Sequence, residues 1–105
     1  MVTINIPKEE FETLREVAES RQLIDKHIEV LRRVLRKAGI LLRLDEYIAV
    51  RNGSTICIYS NDLFVEIGLS ADTDGEVVTT VAIENVKNVR YRERIDITFA
   101  VGEGR

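Results

Sequence analysis

The chain has 105 residues, a hydrophobic share of 45%, 15 Lys and Arg against 18 Asp and Glu, and one cysteine. This is the size of one domain with a modest core. A net charge of -3 argues against a general nucleic-acid binder, and the lone Cys57 excludes an internal disulfide. No stretch approaches the roughly 20 apolar residues of a membrane helix, and Met1 to Lys8 lacks the basic-then-apolar order of a signal peptide. A soluble, cytoplasmic protein without a membrane partner is therefore expected, and its Arg-rich, Gln-poor composition leans toward a heat-stable source.

The chain opens with alternation: Val2, Ile4 and Ile6 on one side, Thr3 and Asn5 on the other, the period of a strand. Pro7 suits a first helical position, and Glu9, Glu10 and Glu12 place negative charge where a helix N-terminus favours it. From Leu14 the residues Val17, Arg21, Ile24, Ile28, Leu31, Leu35 and Ala38 follow steps of three and four, a coiled-coil-like stripe interrupted at Arg21. Leu23, Val30 and Val34 widen it, so Ile24, Ile28, Leu31 and Leu35 are expected in the core. Gly39 stands where a left-handed helix end is expected.

One straight helix over residues 8–38 would run about 46 Å, whereas a strand of about eight residues covers roughly 27 Å. Either the surplus packs on a partner's helix, which puts Leu14 and Val17 at an interface, or the helix breaks near Ser20, with Ser20 capping a second helix. Both outcomes favour a homo-oligomer, a dimer above all.

After Gly39 the period changes to two. Asn52-Gly53 predicts a hairpin between strands 47–50 and 55–59. Ser60-Asn61-Asp62 turns the chain into Leu63 to Leu69, Ala71 to Gly75 into Val77 to Ile83, and a weak boundary over Asn85 to Asn88 precedes a last strand from Val89 to Val101. In that strand Val89, Tyr91, Ile95, Ile97, Phe99 and Val101 alternate with Arg90, Arg92, Arg94, Asp96 and Thr98. Leu63, Val65, Ile67 and Leu69 supply a core face, while Phe64, with Tyr47, Tyr59 and Val78, marks a second, partly aromatic face as a candidate contact surface. The expected architecture is α+β in a single domain, residues 1–39 contributing a strand and a long or broken helix and residues 40–105 an antiparallel meander of four to five strands.

Sites for chemistry are sparse. Cys57 lies in an apolar run and reads as a buried, inert thiol. His27, the only histidine, reads as a helix-flank residue between Asp25 and Glu29, with no cysteine near enough for a metal cluster or a nucleophile-base pair. Asp72-Thr73-Asp74-Gly75 lacks the later carboxylates of a calcium loop, and the adjacent pair Asp45-Glu46 would point to opposite faces of a strand. No cofactor, metal or enzymatic activity is expected.

Residues 2 to 38, with the alternating Val2-Thr3-Ile4-Asn5-Ile6, Pro7 and the acidic start Lys8-Glu9-Glu10-Phe11, resemble in outline a ribbon-helix-helix DNA-binding unit. The resemblance implies base reading by Thr3 and Asn5 in the major groove and a phosphate contact at Lys8. The segment lacks the glycine-containing turn usual between that family's helices, and its strand is poor in Arg and Lys. Between Arg21 and Arg43 seven basic residues face two acidic ones, and Arg32, Arg33, Arg36 and Lys37 are either nucleic-acid contacts or a solvated helix end that offsets the dipole. The favoured reading is a non-enzymatic module that self-associates and binds another macromolecule, with a ribbon-helix-helix-like regulator as the alternative.

Overall fold

The structure, a computed structural model, describes residues 2–44, 46–60, 62–71, 75–85 and 92–102. Strand β1 (Val2–Ile6) leads into helices α1 (Lys8–Glu19) and α2 (Asp25–Lys37), followed by β2 (Tyr47–Asn52), β3 (Thr55–Ser60), β4 (Leu63–Ala71), β5 (Val77–Asn85) and β6 (Arg92–Val101). Together the strands form one mixed sheet in the order β1-β6-β5-β4-β3-β2. The five C-terminal strands make the expected antiparallel meander. The first strand adds a sixth member, parallel to β6, with Ile4 opposite Phe99 and Ile6 opposite Val101. The last strand was expected from Val89; residues 86–91 lie outside the described residues, as do Asp45, Asn61 and residues 72–74, where a turn was expected.

Instead of one long helix there are two short ones, of 12 and 13 residues, about 18 and 20 Å long at 1.5 Å per residue. Neither overhangs the sheet, so the length argument for a partner helix falls away. Leu14 and Val17, expected at an interface, are fully buried in the chain's own core. Ile28, Leu31 and Leu35 are buried as the stripe predicts. Ile24 is not: it is the residue before α2 and is 52% exposed.

No Gly or Pro breaks the helix between residues 19 and 25; polar side chains do. Ser20 ends α1 rather than starting α2, and its hydroxyl accepts the Gln22 N–H at 3.3 Å, the local competition with helix bonding that serine offers. In a continued helix the carbonyls of Val17 and Ala18 would accept from Arg21 and Gln22. Here both accept from the Arg51 guanidinium on β2, Ala18 at 2.7 Å, while Arg51 Nε donates to the Gly53 carbonyl at 3.0 Å. On the far side of the turn His27 Nδ1 accepts the Ile24 N–H at 3.4 Å. Its proton therefore sits on Nε2, which donates to Glu16 Oε1 at 3.2 Å. His27 is buried at 3% exposure, a corner residue rather than a helix-flank one.

Helix α2 ends as its sequence predicts. Gly39 has φ +85, its N–H bonds Arg36 O, and Ile40 N–H bonds Leu35 O, both at 2.9 Å, the paired bonds of a Schellman ending. The first hairpin departs by one residue from expectation. Asn52 pairs with Thr55, so Gly53 and Ser54 make the turn, and Gly53 (φ +63) takes the first central position, where primed turns require positive φ.

Both helices lie on one face of the sheet. Ile56, Ile58, Val65, Ile67, Val77, Val81, Ile97 and Phe99 point at them and are fully buried. Among the polar side chains buried here, the Thr79 hydroxyl has no hydrogen-bond partner among the described residues.

Candidate functional site

The other face of the sheet is covered by no element among the described residues. Register places Ile48, Tyr59, Phe64 and Glu84 in one row across it, and Val50, Cys57, Glu66, Ala82 and Arg94 in the next. Its β2–β3 corner with Phe64 is therefore apolar, bordered by the exposed Glu66 on β4. Ile48 is 67% exposed, Tyr59 51% and Val50 47%, and the Tyr59 and Phe64 rings stack with centroids 4.8 Å apart, a geometry that fixes both side chains before any partner arrives. Beyond Phe64 the face sinks into a hollow of about 430 Å³ whose walls include Glu66, Ala82, Glu84 and Arg94. Toward β6 it becomes polar, with Thr80 donating to Asp96 Oδ1 at 3.0 Å and Arg94 Nε 3.8 Å from the same carboxylate.

Tyr47 does not belong to this surface. It pairs with Ser60, which pairs with Leu63, on the helix-covered side. Cys57 does belong to it and is half-buried rather than a core residue. Partial burial, with a smaller effect from the Glu66 carboxylate, pushes its thiol pKa up from 9.0, so the nucleophilic thiolate is scarce at neutral pH.

Of the residues considered for nucleic acid, Thr3 and Asn5 lie on β1 in register with Thr98 and Ala100 at the sheet's edge. Lys8 is exposed, 4.0 Å from Glu12. The basic group on α2 divides into two. Lys37 contacts Glu10 at 2.6 Å, and Arg33 lies 3.9 Å from Glu10 and 3.4 Å from Glu29. The Arg32 and Arg36 side chains make no ion pair or hydrogen bond among the described residues.

No family model matches this chain, and neither curated proteins nor solved structures give a match. The reading therefore rests on the residues themselves. Among the described residues no group of three or more His, Cys, Asp and Glu side chains is placed to hold a metal ion, and no helix is long and apolar enough to cross a membrane. His27 is committed to the α1–α2 corner, where its hydrogen bond, followed by the nearby Lys26 charge, lowers the Glu16 pKa below its ordinary 4.5. Of the Asp72-Thr73-Asp74 turn and Asp45 nothing is described; the Glu46 carbonyl accepts the Ser60 hydroxyl at 2.9 Å.

Sequence reasoning missed Arg51. The available signal was its place in period with Tyr47 and Ala49, which makes it an inward-pointing cation on a strand that has a core side.

Proposed function

We propose that the chain is a non-enzymatic module that self-associates through its open sheet face and binds another macromolecule with its helical layer. The observation carrying this reading is the apolar corner of Ile48, Val50, Tyr59 and Phe64, uncovered by any described element of the chain. Six strands about 4.8 Å apart and some 25 Å long give the whole face a projected area of roughly 700 Å², so a stable contact of ~800 Å² per partner takes in its polar half as well as the apolar corner. An isologous contact would set the exposed Tyr59–Phe64 stack of one copy against the same face of the other across a two-fold axis. Sheets stacked this way hide the apolar residues and leave both helical layers outward.

The DNA-binding alternative draws less support from the position of β1. Its inner edge is hydrogen-bonded to β6, so it is part of a six-stranded sheet too broad for a major groove about 12 Å wide.

Sedimentation equilibrium tests the proposal. The wild type is expected as a dimer at tens of micromolar, and Tyr59→Asp with Val50→Asp as a folded monomer with unchanged far-UV circular dichroism. A monomeric wild type, or a double variant that still dimerises, would overturn it.

A further inference from the structure

The helical layer carries a groove of about 480 Å³ between α2 and the segment leading into β2. Arg32 and Arg36, one turn apart on α2, form one wall; Leu41 and Tyr47 form the other, with the buried Ile28 and Leu42 between them. Two properties set it apart from the rest of the helix surface. The other α2 cations are engaged, Lys26 with Glu16, Arg33 with Glu10 and Glu29, and Lys37 with Glu10, whereas Arg32 and Arg36 are unpaired among the described residues. Facing them is Leu41, 55% exposed although its sequence neighbours Ile40 and Leu42 are buried.

We infer that this groove docks an acidic, apolar segment of a partner protein, a peptide whose carboxylates reach Arg32 and Arg36 and whose bulky side chain rests on Leu41 and Tyr47. Paired guanidiniums with free donor edges match carboxylates in forked geometry, and an apolar wall beside them rewards an aliphatic or aromatic neighbour that a phosphate backbone does not offer. Asp25 and Glu29 close the other end of the same groove. They repel a continuous polyanion, but leave room for a peptide whose acidic residues are confined to one side. The inference deepens the second half of the proposed function by naming the class of partner, and it does not depend on self-association.

The test titrates the full chain with a fluorescein-labelled peptide of sequence EELFDLEEL, read by anisotropy and by amide NMR shifts. Saturable binding below about 1 mM is expected, weakened by salt, with shifts centred on Arg32, Arg36, Leu41 and Tyr47. Arg32→Gln with Arg36→Gln should weaken it at least about fivefold, as should Leu41→Ser, each with an unchanged far-UV spectrum. The Tyr59→Asp, Val50→Asp variant should bind like the wild type, so a failure of the dimer reading would leave this one standing. The inference is overturned by any of four results: no saturation by about 1 mM, binding indifferent to the Arg32 and Arg36 changes, equal binding of the peptide with lysine in place of its acidic residues, or a random-sequence DNA duplex that binds more tightly through the same arginines.

Discussion

Replacing Arg51 by Met removes a long-range support of the α1–α2 corner while keeping the aliphatic stem. The structure gives the terms. Arg51 donates to the Val17, Ala18 and Gly53 carbonyls, and α1 has no basic residue of its own in its last turn, so Arg51 is the cation offsetting that end of the dipole. Hydrogen bonds from a charged donor contribute about 1.5–3 kcal/mol each when shielded, and a cation at a helix C-terminus contributes about 0.3–1 kcal/mol. Arg51 is only half-buried, so water recovers part of each bond, and a total loss of about 2–4 kcal/mol is expected. Lys at this position restores the charge but cannot fork two carbonyls, and should recover less than half. Urea unfolding at fixed protein concentration measures this as a midpoint lower by roughly 1–2 M at unchanged slope. A loss below about 0.5 kcal/mol would refute the reasoning and show that the helix breaks for reasons held within residues 19–25 alone.

Leu31, 1% exposed between the helical layer and the sheet, should cost about 2–5 kcal/mol when truncated to Ala; denaturant melting checks it, and a change near zero would contradict its place in the core. Thr79→Val should stabilise by about 1 kcal/mol, because it replaces a buried hydroxyl without a partner among the described residues by a methyl group; an unchanged or lower midpoint would show that the hydroxyl is satisfied. The Glu16 pKa is lowered in the folded state, so its contribution is present above the ordinary value of 4.5 and is lost as pH falls through the folded value. Glu16→Gln should accordingly be less stable than the wild type near neutral pH and converge with it in acid, which melts at stepped pH would reveal; a gap that persists in acid would point to a packing role.

What the sequence determined was local. The first hairpin to within one residue, the acidic start of α1 and the left-handed ending at Gly39 each need only a few neighbouring residues with the right φ or capping group, and were legible to that extent. So was a fact the alternation by itself obscured: a two-residue turn between β2 and β3 pairs odd-numbered residues of the first with even-numbered residues of the second, whichever dipeptide makes it. That parity puts Tyr47 with Ser60 on the covered side and leaves Ile48 and Val50 beside Tyr59. Tertiary structure decided what depends on residues far apart. The parallel pairing of β1 with β6 brings residues 2–6 against residues 97–101, and nothing local to either strand specifies it. At the helix break Arg51, more than thirty positions away, takes over carbonyls that a continuing helix would have used. For the same reason, the division of the basic residues of α2 into paired Arg33 and Lys37, and Arg32 and Arg36 without a partner among the described residues, depends on where Glu10 lands once α1 has folded back. Charge along the sequence sets how many cations the helix carries; the packing of a second helix decides which of them remain available to a partner.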